Sequence, residues 1–321
     1  MDDLILLTDD LHEIGPIRSD IDIEIGRSSD DTNDFEISMP ITTAGALYIP
    51  GTELGGLIEK TEIKTGSQTA TYSGWTWRGL LTQDIISPPS GSDYRIVSGD
   101  ANAIIKDILS DRFGGLFYVP DEASGLTISS YQFVLYTTVL DGLTAMVEDG
   151  GYRLAISADK VASGEPIRVS IRAVKAEQVS GTVNADSPVQ LTVTEDGMGI
   201  NHLACLGKGD LKNRTRVDLY IDGSGKVSQT KHYTGRAERT AYYDANNDEL
   251  ADLIKNGTEK LLEQASSRKM EIKVPDDLSL EVGDIVNGSY QGIGLTAPIT
   301  GKIVKITGGY ISTEYKIKEG K

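Results

Sequence analysis

Tyr72-Ser73-Gly74-Trp75-Thr76-Trp77-Arg78-Gly79-Leu80-Leu81-Thr82-Gln83-Asp84-Ile85-Ile86-Ser87-Pro88-Pro89 runs from strand-like alternation into a double-proline stop. With Ala70 and Thr71 its first part predicts a strand reaching Trp77. Tryptophans two apart on one strand share a face, so Trp75 and Trp77 are expected to pack together on a core or an interface. Strand signals also precede this stretch. Leu4 to Leu7 is an apolar run, Ile21, Ile23 and Ile25 alternate with Asp22 and Glu24, and Phe35 to Pro40 alternates again. Leu47-Tyr48-Ile49 and Leu57 to Lys64 add two short strands, the latter after Gly55-Gly56.

Downstream the period changes. Asp100 to Asp111 carries apolar residues at 101, 104, 105, 108 and 109, one face of a helix, with Gly114-Gly115 beyond its end. Thr137 to Glu148 places Leu140, Leu143, Thr144 and Val147 on one face, before the stop Asp149-Gly150-Gly151. Strands return at Tyr152 to Ser157, Ile167 to Val174, Gln190 to Thr194, Asn201 to Leu206 and Thr215 to Ile221, the last before the turn Asp222-Gly223-Ser224-Gly225. The clearest helix is Asp248 to Ser267, with an apolar stripe of Leu250, Leu253, Ile254, Leu261, Leu262 and Ala265 and with Asn246 and Glu249 as a capping box. Glu271 to Val274, Asp284 to Val286, Lys302 to Ile306 and Ile311 to Ile317 are closing strands. The expected fold class is α+β, mainly β: two small β-barrel domains with helix-containing sequence between them. The expected division is 1–90 as a first barrel open to completion by later strands, 91–185 as an α+β middle, and 186–321 as a second barrel with an inserted helix near 248–267.

A chain of 321 residues holds two or three compact units, and its 35 glycines favour turns and sheet over helix. Lys and Arg number 31 against 48 Asp and Glu, a net charge of −17, so specific nucleic-acid binding is not expected. A single cysteine, Cys205, excludes an internal disulfide. The start Met1-Asp2-Asp3 lacks a signal peptide's basic and apolar regions, and no apolar run approaches the roughly 18 residues of a membrane span. Folding in the cytoplasm is the expectation.

The residues fit no catalytic or metal constellation. His202, Cys205 and His232, with His12 near the start, are the candidates for imidazole or thiolate chemistry. Odd spacing on a strand sends His202 and Cys205 to opposite faces, which favours a buried cysteine and a structural histidine. Asp30-Asp31-Thr32-Asn33-Asp34 and Asp244-Ala245-Asn246-Asn247-Asp248 resemble pieces of calcium loops. The second has Glu249 in place of the required glycine and Lys255 in place of the closing glutamate, and a helix cap explains it better. Gly207-Lys208-Gly209 continues as Asp210-Leu211-Lys212 and reads as a turn, not a phosphate loop. Trp75, Trp77 and Arg78 as a sugar- or base-stacking platform lack a surrounding basic patch. No catalytic residue, cofactor or metal is therefore assigned.

Gly74-Trp75-Thr76-Trp77-Arg78-Gly79-Leu80-Leu81, followed by Asp84-Ile85-Ile86-Ser87-Pro88-Pro89, resembles a signature of siphophage and prophage tail proteins related to baseplate hubs and to the N-terminal part of tail-associated lysins (Tal-like). Asp34-Phe35-Glu36-Ile37, Asn201 to Gly209 and Glu281 to Val286 are similar to further phrases of that family. The resemblance implies a non-enzymatic homotrimer in which two barrel domains per subunit build a ring, matching a sixfold tail tube to a threefold tip. It further implies a place in the virion tail tip, with the distal tail protein, tail tube, tape-measure protein and a tail fibre or lysin as partners. DNA is expected to slide through the ring, whose acidity then repels phosphates. A cell-wall hydrolase would belong to another chain or to sequence after Lys321. A carbohydrate-binding adhesin using Trp75 and Trp77 is the alternative.

Overall fold

The computed structural model describes residues 4–182, 190–196, 198–223, 225–265, 267–273, 280–290, 293–308 and 310–318. Met1, Asp2, Asp3, Ser224, Val274 and Lys321, which enter the readings above, lie outside them. The chain is mainly β with few helices. It forms two compact units, one of residues 1–191 with 271–317 and one of 192–270 with 318–321.

In the larger unit, Ile21–Gly26 and Asp34–Pro40 each bury alternate residues, Ile21, Ile23, Ile25, Phe35, Ile37 and Met39, as their period-two patterns require. Asp34–Pro40 continues the sheet to Thr69–Trp75 and then to the short edge strand Lys60–Ile63, all antiparallel. On the other side Ile21–Gly26 pairs with Ile293–Thr307, bringing Ile25 opposite Lys302 and Ile23 opposite Val304, and Tyr310–Lys318 pairs beyond it. Strands near the end of the chain thus complete a sheet begun near its start.

A second antiparallel sheet runs in the order Glu13–Ile17, Leu4–Leu7, Ala46–Tyr48, Gly55–Leu57. Leu4–Leu7 is buried on both faces, which explains an apolar run without alternation. Leu4, Leu6 and Leu47 enter one hydrophobic cluster with the Ile21–Gly26 and Asp34–Pro40 side chains. Leu7, Ala46 and Tyr48 enter the other cluster. That cluster lies between the helical segments Ala101–Leu109 and Val139–Glu148 and the antiparallel strands Tyr152–Lys160 and Ile167–Lys175.

A one-turn helix, α1 (Trp77–Leu80), follows the Thr69–Trp75 strand. Next come α2 (Ala101–Leu109), capped by Asp100, and α3 (Val139–Glu148), capped by Thr138. All five apolar positions predicted for α2 are buried, as are Leu140, Leu143, Thr144 and Val147 of α3.

The smaller unit is a four-stranded sheet, Val227–Ser228, Arg216–Ile221, His202–Leu206, Thr240–Asp244, with α4 (Leu250–Gln264) against one face. Leu253 and Leu261 fill its core beside Leu203, Cys205 and Leu219. The expected stripe needs correction at two positions. Leu250 is 53% exposed, and Gly257 lies on the buried face, where a Cβ would stand 2.5 Å from Cys205 Sγ. The helix also begins after Asp248 and ends before Ser267. The capping box does not form: Glu249 is the N-cap without a side-chain cap bond. Asn246 Oδ1 instead accepts from Arg214 Nη2 at 2.5 Å, because Arg214 collects Asp244, Asn246 and the carbonyls of Leu206 and Gly207 with its fan of donors.

Candidate functional site

The Gly74–Leu81 phrase makes a corner. The strand ends at Trp75, and Thr76 caps α1 by accepting from Gly79 N at 3.1 Å while donating to Asn33 O at 3.0 Å. The strand expected to reach Trp77 is therefore two residues shorter. The cap turns Trp77 into a fully buried core position, while Trp75 stays half-buried. The two rings do not share a strand face, and a stacking platform, which requires exposed rings, is not formed.

Glycine is required in this corner by close approach. A Cβ on Gly74 would lie 1.9 Å from Leu57 O, and one on Gly56 would lie 2.0 Å from Trp75 O, so the two strands cross backbone to backbone. Gly79 packs on Asn33 in the same way, with a Cβ reaching 2.1 Å from its carbonyl oxygen. Asn33 is buried in turn: its Oδ1 accepts from Gly26 N at 2.8 Å and its Nδ2 donates to Ser28 O and Asp31 O. The acidic run Asp30 to Asp34 is thus a turn organised by Asn33 beneath α1, with Asp31 accepting from Ser28 N at 3.0 Å.

Beside the corner lies a buried ion pair. Arg78 Nε donates to Glu53 Oε1 at 2.5 Å and Nη2 to Glu53 Oε2 at 3.0 Å, with side chains 2% and 5% exposed. Nη2 also donates to Leu154 O at 3.1 Å, so the guanidinium joins three elements. Glu53 escapes a reading of the sequence, since nothing local distinguishes it from surface glutamates.

The sequence-predicted chemical residues do not converge. His12 Nδ1 lies 3.1 Å from Gly164 O, and His232 Nε2 lies 3.3 Å from Ser228 Oγ. Cys205 is fully buried against α4, and burial pushes its thiol up to about 11. His202 occupies the opposite sheet face, as odd spacing requires. It stacks on Tyr220 with 4.3 Å between ring centroids and contacts Asp218 (2.8 Å), Thr240 (2.9 Å) and Glu238 (2.9 Å). Hydrogen bonding from Arg216, then from His202, holds the Asp218 carboxyl below its ordinary range, and Lys231 does the same for Glu238. Such a network ties strand to loop and presents no free nucleophile.

Gly207-Lys208-Gly209 forms the turn between two strands, with Lys208 Nζ on Glu249 at 2.6 Å. Among the described residues no three or more His, Cys, Asp and Glu gather where a metal ion would be held. No helix among them is long and apolar enough to cross a membrane.

Exposed large apolar side chains are scattered over the surface, from Ile14 and Ile63 to Leu211 and Tyr310. Three of them, Ile96 (59% exposed), Val134 (73%) and Tyr136 (63%), lie on or just beyond one strand pair, in which Ile96 pairs with Gln132 and Phe133 N donates to Arg95 O at 3.0 Å. Exposed apolar side chains grouped near one another mark contact surfaces more often than isolated ones do.

The fold built from these elements is shared with a solved prophage tail protein. The chain aligns over 99% of its length with 98% of the 43 kDa tail protein of prophage MuSo2 from Shewanella oneidensis, at a TM-score of 0.53 and 14% identity. Lower similarity extends to prophage tail protein gp18 of Listeria monocytogenes, at a TM-score of 0.48, 11% identity, and 100% and 95% coverage of the two chains. It also extends to a chain of the activated baseplate of phage P2, at 0.48, 13%, and 100% and 99%. Compared by sequence, the chain matches no protein-family profile and no curated protein.

Proposed function

We propose that this chain is a structural, non-enzymatic subunit of a phage or prophage tail tip, the baseplate hub. Three copies form a ring, with closed barrels in each, that joins the sixfold tail tube to the threefold tip and lets DNA pass. The observation that carries this reading is the shared fold with the MuSo2 tail protein along nearly the whole of both chains. Supporting it, the phrase Gly74–Leu81 builds a buried corner, the titratable groups are tied to one another, and the exposed apolar side chains suit subunit contact. Distal tail protein, tube, tape-measure protein and a fibre or lysin are the neighbours on this reading, and the particle is assembled in the host cytoplasm. A net charge of −17 suits a passage for a polyanion.

Size-exclusion chromatography with light scattering tests it. The expected species has three times the 34.6 kDa chain mass, appearing as concentration rises. A monomer at every concentration refutes the ring.

A further inference from the structure

Most Lys and Arg residues of the larger unit are spoken for by a carboxylate: Arg27 by Glu148, Arg95 by Asp107, Arg112 by Asp84, Arg153 by Asp284, Lys160 by Glu13. In a chain with 48 acids and 31 bases that is the expected state of a cation. Ile167–Lys175 departs from it. Its inner face is buried, while Arg168 and Arg172 stand exposed on the outer face of the same strand, with no carboxylate partner among the described residues. Asp159, opposite Arg168 in register, is bonded to Ser157 at 3.0 Å, and Arg168 lies over the Tyr118 ring, 4.4 Å from its centroid. One guanidinium is thereby held in place on the outer face of a sheet.

The complementary feature is in the same unit. Asp22 stands directly opposite Glu36, and Glu24 and Asp34 continue the two rows, so four carboxylates share one outer sheet face. Lys305 meets Asp22 at 3.2 Å and Lys316 meets Glu24. Asp34 and Glu36 are exposed and have no cation among the described residues. Like charges opposed across strands cost stability in the isolated chain, a cost that a cationic partner removes. Partial desolvation against the sheet, then Glu24, Asp22 and Glu36, push the Asp34 carboxyl upward, in keeping with that crowding.

We infer that the Arg168–Arg172 face of one copy docks on the Asp34–Glu36 face of the next copy. The inference rests on the ring proposed above and specifies its contact. The two faces differ, so the contact is head-to-tail, and such contacts close into rings when the rotation permits. Opposed unpaired charges of the same chain select a second copy over a foreign partner, and they steer association.

Charge exchange in the full chain tests it, followed by analytical ultracentrifugation at low and high salt. Arg168→Glu with Arg172→Glu, and separately Asp34→Lys with Glu36→Lys, each weaken self-association by about tenfold or more. The fourfold variant carrying both exchanges regains association, and it also shows that the altered chains fold. Unaltered association weakens as salt rises. Double variants that associate like the unaltered chain, or a fourfold variant that fails to recover, overturn the inference. A trimer indifferent to both reversals sinks it while leaving the hub reading intact, whereas a monomer in every condition sinks both.

Discussion

Arg78→Met keeps most of the side-chain stem but removes the charge that meets Glu53. The pair is almost fully desolvated, at 2% and 5% exposure, and the substitution also strips Leu154 O of its donor. Breaking a buried pair from one side costs about 3–5 kcal/mol, because the remaining charge stays buried without compensation. At about 2–4 °C per kcal/mol for a unit of this size, the melting temperature falls by roughly 6–20 °C. Glu53→Leu alone costs a similar amount from the other side. Together the two changes cost much less than the sum of the singles, since two apolar groups replace two charges and neither is stranded. The assay is a double-mutant cycle in urea, followed by near-ultraviolet circular dichroism. A loss under about 1 kcal/mol for Arg78→Met, or a double variant whose loss equals the sum of the singles, refutes the reasoning.

Gly74→Ala and Gly79→Ala drive a Cβ to 1.9 Å and 2.1 Å from carbonyl oxygens, so each lowers stability by about 1–3 kcal/mol or more in thermal melts, while Gly223→Ala, whose Cβ meets Tyr233 Oη at 3.7 Å, changes little. Cys205 is expected to resist a thiol reagent at pH 8 in the folded chain and to react on unfolding; labelling at the same rate in both states contradicts its burial. The Asp218 carboxyl is held low when folded, so its stabilisation is present above the unfolded carboxylate value of about 4 and is lost as pH falls through the folded value. Asp218→Asn therefore destabilises at pH 6 and changes little once acid protonates the native carboxylate; an equal loss at both pH values speaks against the network. Fluorescence-monitored urea unfolding provides the measurement.

Period-two and helical patterns carried the elements well because burial enforces them directly. Ile21, Ile23 and Ile25 had to share a face, and Ala101 to Leu109 could hardly avoid one. Local reading failed where a distant group competed. Arg214 drew Asn246 away from the cap, and Asn33 turned the Trp75–Trp77 strand into a helix start through a single carbonyl. Glu53 was invisible because a buried carboxylate is identified by its partner, and Arg78 lies twenty-five positions away in sequence. The same holds for Asp218 and Glu238 around His202. Gly257 carried a faint signal, a glycine inside an amphipathic helix, which usually marks close packing.

The strand pairing between Ile21–Gly26 and Ile293–Thr307 also sets a schedule. A ribosome adding roughly 5–20 residues per second reaches the second strand on the order of tens of seconds after the first. Through that interval Ile21, Ile23 and Ile25 wait beside an open edge, while residues 192–270 already have the sequence they need to form their own core. A nascent chain cut short before Ile293 has no finished sheet to offer a neighbour and exposes an edge that aggregates. Synthesis through Ile293–Thr307 thus becomes a condition for closing the sheet, and with it for assembly.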